Sequence, residues 1–169
     1  MHKLGTSAPE VKACCQDLND ELERLFADMK EDSLIIFTPD HGMRDVLELT
    51  YEDKKDFVDT LVRPPVLEPR CSGFYVKEGR EEEFKELFEK YFGEHFVLYT
   101  AEEILEKKIM GEGTPHPLTR KMLGDFVGIS VDEYLIRQIP LDDPYFFRGQ
   151  HAGLTEEEMR IPLVVIKKD

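Results

Sequence analysis

Asp40 and His41 stand side by side in LIIFTPDHGM (residues 34–43), where an apolar run meets a glycine. A carboxylate oxygen and an imidazole nitrogen on one short loop can converge on a single cation, the donor mix that zinc and related metals accept. The apolar run reads as a strand, and in open α/β sheets ligands bind at the carboxyl ends of strands. Gly42 reads as the residue that lets the backbone turn sharply beside the pair. Asp-His-Gly also occurs in ordinary surface turns, so the tripeptide alone leaves both readings open. Two further histidines share its setting: His2 in HKLG ahead of the first helical pattern, and His151 in HAG ahead of the last. His2, Asp40, His41 and His151 are thus a candidate metal-ligating set. The plainer reading is that His2 belongs to a frayed terminus and that His151 merely precedes a cap. His95 opens an apolar strand and His116 sits in the proline turn TPHP; both read as structural. The glutamate runs at 81–83 and 156–158 read as solvated helix faces.

Other chemistries find no support. The chain carries no G-x-S-x-G, no G-x-x-x-x-G-K-[ST] and no G-x-G-x-x-G, which removes the nucleophile elbow and the phosphate loops. A formal charge of −14 over 169 residues excludes a nucleic-acid backbone or an anionic membrane as the expected partner, whereas bound cations would relieve part of the excess. Cys14, Cys15 and Cys71 show no C-x-x-C spacing, and their odd number fits a reducing compartment better than a disulfide scaffold. The N-terminus MHKLGTSAPE has no apolar signal region, and no window approaches a membrane span, so a cytoplasmic location is expected.

The elements that must position these groups alternate. Ser7-Ala8-Pro9-Glu10 has capping-box spacing, and Val11, Cys14, Leu18, Leu22, Leu25 and Met29 follow at helical intervals, which predicts an amphipathic helix ending near Lys30. Leu34–Phe37 reads as a parallel strand covered on both faces. A helix over Tyr51–Val62 closes at Arg63-Pro64-Pro65. Beyond these prolines come GFYV (73–76), a charged helix from Arg80 to Phe92, HFVLY (95–99) and a helix opened by the capping box Thr100–Glu103. FVGIS (126–130) and YLIRQI (134–139) then suggest a hairpin. PLDDPYFFRGQ (140–150) leads back to a third capping box at Thr155–Glu158 and an apolar strand over Ile161–Ile166. The expected class is α/β, with residues 1–65 and 149–169 forming a partial sheet core and residues 66–148 an inserted α+β cap.

At HKLG, TPDHGM and HAGL followed by an acidic helix and the strand IPLVV, the sequence resembles the alkaline phosphatase superfamily, most closely its nucleotide pyrophosphatase/phosphodiesterase-like branch. Order and spacing agree across nearly the whole chain. The resemblance implies part of an α/β/α sheet core with a cap, and a phosphohydrolase with two divalent metal ions, zinc or manganese. It implies His2 and His151 on one metal and Asp40 and His41 on the other, acting on a phosphate ester.

The family pattern also has an Asp four residues before the histidine matching His2, and a Thr or Ser nucleophile with a neighbouring Asp further upstream. Those positions fall outside these 169 residues, which match the C-terminal half of the catalytic domain. Each metal then has two protein ligands here, fewer than a stable zinc site requires, so weak or partial occupancy is expected. Without the nucleophile there is no covalent route, and little or no hydrolase activity is expected from this polypeptide alone. Two readings follow: an enzyme portion completed by an N-terminal half, or a non-catalytic binding module that keeps the fold. Either leaves a sheet edge and helix faces uncovered, which favours a homodimer or a complementary chain as partner.

Overall fold

The computed structural model describes residues 1–140 and 142–168; Leu141, within the return stretch, and Asp169 lie outside the described residues. In chain order the elements are α1 (Pro9–Asp28), β1 (Ser33–Phe37), β2 (Arg44–Asp45), β3 (Leu47–Leu49) and α2 (Lys55–Thr60). Then follow β4 (Val66–Glu68), β5 (Cys71–Phe74), α3 (Glu81–Phe92), β6 (Phe96–Thr100), α4 (Ala101–Glu106) and α5 (Thr119–Leu123). The last are β7 (Phe126–Ser130), β8 (Tyr134–Ile136), β9 (Gly149–Gln150), α6 (Glu156–Met159) and β10 (Val164–Lys168). The chain divides into two compact units: Met1–Asp45 with Phe146–His151 and Glu156–Asp169, and Val46–Tyr145 with Ala152–Thr155. No helix among the described residues is long and apolar enough to cross a membrane.

In the first unit β1 pairs with β10, and the pairing is antiparallel, from Ser33↔Lys168 to Phe37↔Val164. This corrects the expectation of a parallel, doubly covered strand: side chains along β1 alternate between half-buried and exposed. An apolar run cannot announce its neighbours, and here only one face of the ribbon is covered. On that face Leu22 and Phe26 of α1 share a crevice of about 200 Å³ with Val164 and Ile166. On the other face Leu34 and Ile36 stay exposed, beside the equally exposed Val165 that lies opposite Ile36. Each such side chain left in water forgoes about 1.5–3 kcal/mol of burial free energy. The helix α1 forms as its spacing predicts, with Pro9 in the first turn, but its N-cap is Ala8 and makes no side-chain cap bond, and it has no buried residue.

The second unit closes its own core. Phe84, Phe88 and Phe92, four residues apart on α3, present one stripe. That stripe packs with Phe57, Phe74, Phe96 and Phe126 in a single buried cluster. The four-stranded antiparallel sheet β4-β5-β7-β6 lies beneath it. The period of two in β7 sends Phe126 into this cluster and Val127 and Ile129 into a second one with Ala101, Ile104 and Leu123. Gly128 keeps the α3 side open, since a Cβ there would lie 2.7 Å from Phe88 Cζ. The Thr100 capping box is present in both directions and opens α4. The helix expected over Tyr51–Val62 contracts to α2, where Leu61 instead bridges to Val76.

The expected hairpin of β7 and β8 does not form. Instead β8 pairs in parallel with β3, Leu47↔Tyr134 to Leu49↔Ile136. The fully buried Arg70 explains the departure: its guanidinium donates to the carbonyls of Asp132 and Tyr134 at 2.6 and 2.7 Å, fixing the chain as it leaves the sheet. Arg137 then ties β8 to β3 through Glu48 at 2.6 Å.

Phe88→Ala removes the ring at the centre of the aromatic cluster and is expected to destabilise this unit by about 3–5 kcal/mol, read from the midpoint of urea unfolding followed by far-ultraviolet circular dichroism. Burial, with Glu68 nearby, pushes the Cys71 thiol from 9.0 up to about 11. At pH 8 iodoacetamide should therefore alkylate the exposed Cys14 and Cys15 well before Cys71, as followed by peptide mass spectrometry. The folded thiol keeps its proton to higher pH than the unfolded one. Its contribution to stability is whole below pH 9.0 and is lost as pH rises towards about 11.

Candidate metal centre

His2, Asp40, His41 and His151 all lie in the first unit. The loop carrying His2 is a tight turn in which the Met1 carbonyl accepts from the amides of Leu4 and Gly5 at 3.2 and 2.9 Å. Gly5 has φ +85, a left-handed conformation that favours glycine. The Thr6 amide donates to Asp45 Oδ1 at 2.6 Å, which ties this loop to β2. The short β2 pairs antiparallel with β9, Arg44↔Gln150 and Asp45↔Gly149. Residues 1–6, 40–45 and 147–151 are therefore stitched together mainly through backbone groups.

The loop after β1 is held from both ends. The Thr38 hydroxyl donates to the Pro162 carbonyl at 3.0 Å, and the Gly42 amide donates to the Glu158 carbonyl at 3.0 Å. Gly42 is not in a left-handed conformation, which corrects the sharp-turn reading. Its glycine is required by space: a Cβ would sit 2.0 Å from the Glu157 carbonyl oxygen of α6. Glu158, placed by sequence on a solvated face, is instead buried.

The side chains gather. The His41 and His151 rings stack at 3.8 Å with 25° between their planes, and the His2 ring lies 5.5 Å from His151. His2 Nδ1 is 2.8 Å from the Gly149 carbonyl oxygen, and His41 Nδ1 is 2.7 Å from that of Gly42. A carbonyl has no proton to give, so each Nδ1 must carry the hydrogen and donate it. The metal-binding lone pair of each neutral ring is thereby placed on Nε2, the arrangement in which a ligating histidine is oriented by a backbone carbonyl. Asp40 Oδ1 accepts from the His41 amide at 3.0 Å, and Asp40 Oδ2 lies 3.5 Å from His41 Nε2. That separation is near the edge of about 3.3–3.4 Å between two ligands of a tetrahedral ion with bonds of about 2.0–2.1 Å.

The donor chemistry therefore fits a divalent ion at the Asp40–His41 pair, while the His2 and His151 rings meet edge to face. Among the described residues no group of three or more His, Cys, Asp or Glu side chains is placed to hold a metal ion. The other histidines lie in the second unit: His95 Nδ1 meets Asp132 Oδ2 at 2.6 Å and its ring lies tilted against Tyr134, while His116 Nδ1 accepts from the Leu118 amide. Sequence reasoning missed Asp45, Phe147 and Gly149. The glycine two residues ahead of His151 was the available signal for the last two.

A model of the type I phosphodiesterase / nucleotide pyrophosphatase family matches residues 1–154. The chain belongs to this family. The family is a group of metal-dependent phosphoesterases within the alkaline phosphatase superfamily. Among solved structures the chain is similar to human ectonucleotide pyrophosphatase / phosphodiesterase 5, with 18% identity and a TM-score of 0.74, over 98% of this chain and 43% of that one. The murine counterpart gives 20% identity and a TM-score of 0.67, over 96% and 43%. Phosphonoacetate hydrolase from Sinorhizobium meliloti 1021, in complex with phosphonoformate, gives 18% and 0.70, over 99% and 43%. No curated protein matches. At these identities the structural likeness establishes the α/β fold, and the chain spans less than half the length of each of these structures.

Gly42→Ala is expected to destabilise the first unit by about 1–3 kcal/mol through collision with the Glu157 carbonyl. The check is denaturant unfolding, together with loss of nuclear Overhauser contacts between the His41 and His151 rings.

Proposed function

We propose that this chain is the C-terminal portion of a phosphodiesterase-type, metal-dependent phosphohydrolase. His2 and His151 serve one divalent cation, zinc or manganese, and Asp40 and His41 serve the other. The remaining ligands and the Thr or Ser nucleophile come from a region of the domain outside these 169 residues. The observation that carries this reading is the shared hydrogen-bonding state of His2 and His41, whose Nδ1 atoms both donate to glycine carbonyls while both rings contact His151.

When bound, such ions polarise a phosphoryl oxygen and stabilise the charge that develops on the attacking and leaving oxygens. The chain's own residues supply orientation. The Gly42 and Gly149 carbonyls fix two imidazole tautomers, and the Asp40 carboxylate, held through one oxygen by the His41 amide, presents its second oxygen beside His41 Nε2. The excess of acidic groups makes cation capture favourable at long range.

The same reading accounts for the uncovered face of Leu34, Ile36 and Val165. A complementary portion of the domain covers it in the complete enzyme, and a second copy of the chain is its substitute in isolation.

The test is metal analysis by mass spectrometry with chromogenic phosphate mono- and diester assays, on this polypeptide alone and with the N-terminal portion of the domain added in trans. The polypeptide alone is expected to bind metal substoichiometrically and to show little or no turnover. Turnover should appear on complementation and fall by more than the roughly 10–100-fold typical of outer-sphere changes in Asp40→Asn and His41→Ala. Stoichiometric metal with robust turnover by the 169 residues alone would overturn the proposal. Absence of turnover after complementation would favour a non-catalytic binding module.

A further inference from the structure

The segment that delivers His151 also grips His2. The amides of Arg148 and Gly149 donate to the His2 carbonyl at 2.8 and 3.2 Å, and the Gly149 carbonyl accepts from His2 Nδ1 at 2.8 Å. The half-buried Phe147 meets the His2 ring nearly at right angles, 71° between planes with centroids 5.3 Å apart. Gly149 is pressed close, since a Cβ there would lie 3.1 Å from Met43 Sδ and 3.2 Å from the Met1 carbonyl oxygen. One hydrogen bond at Nδ1 leaves an imidazole free to pivot, because the terminal torsion of histidine is broad. An aromatic ring in edge contact restricts that freedom.

We infer that Phe147 is the positioning residue of His2: it holds the imidazole against the Gly149 carbonyl, so that Nδ1 keeps the proton and Nε2 remains the lone-pair nitrogen. What Nε2 then binds rests on the two-metal reading proposed above; the orientation of the ring does not. His41 provides an internal comparison, because its Nδ1 bonds to Gly42 within its own turn and its ring stacks on His151.

The experiment is nitrogen-15 NMR of the imidazoles in the metal-free 169-residue chain at about pH 8, where free imidazole is neutral. It is run on the parent protein and on Phe147→Ala and Phe147→Leu, and each is then titrated with zinc. His2 is expected as the Nδ1–H tautomer in the parent, and to drift towards the tautomer mixture of a free imidazole in Phe147→Ala, with a smaller drift in Phe147→Leu. His41 should stay unchanged, which shows that the fold is intact. Zinc should perturb the His2 signals of Phe147→Ala only at about tenfold higher concentration, the low end of the usual outer-sphere effect. If His2 keeps its tautomer in a variant whose His41 signals are intact, Phe147 only packs and the inference fails. If zinc leaves His2 of the parent unperturbed, the two-metal reading fails, while the tautomer comparison still decides the role of Phe147.

Discussion

The carbonyl of Gly149 and the amides of Arg148 and Gly149 close on a residue almost at the start of the chain, and the candidate centre depends on that closure. Backbone groups are well suited to the task. Their positions are fixed by the pairing of β9 with β2, so they can hold an imidazole in one tautomer without a titrating partner. The same pairing brings His151 onto His41 and within reach of His2. Three histidines far apart in sequence come together because one short return segment is hydrogen-bonded on both sides.

The two units meet their hydrophobic requirements differently. The unit that includes α3 buries seven phenylalanines in one cluster around a four-stranded sheet and leaves little of that core in water. The unit that includes the candidate centre has a helix of 20 residues with none buried, and a two-stranded ribbon with one bare apolar face. A ribbon of two strands is marginal by itself in water. Its uncovered face agrees with a chain that spans 43% of the structures it resembles. The whole chain's net charge of −14 adds self-repulsion, and cations would ease it.

Some local chemistry acting over one or two turns was legible, although the cap expected at Ser7 did not form. Thr100 and Glu103 announced their reciprocal cap, and the spacing of Phe84, Phe88 and Phe92 announced the buried stripe of α3. The α/β class and the family were legible from a handful of short motifs. The hairpin of β7 and β8 was misread because Arg70, some sixty residues earlier, claims the carbonyls of Asp132 and Tyr134. The direction of β1 was misread because an apolar run carries no information about which strand lies beside it. Gly42 was recognised but for the wrong reason, since close approach to Glu157 can be seen only once α6 is in place.

By itself the sequence determined the candidate donors and their order, His2, Asp40-His41 and His151, because ligand chemistry resides in side chains and short motifs preserve it. Tertiary structure alone decided which nitrogen of the His2 ring carries the proton and that Phe147 stands against His2. Tautomers and ring orientations follow from hydrogen bonds whose partners are fixed in space by strand pairing, and the clasp on His2 joins residues 147 positions apart.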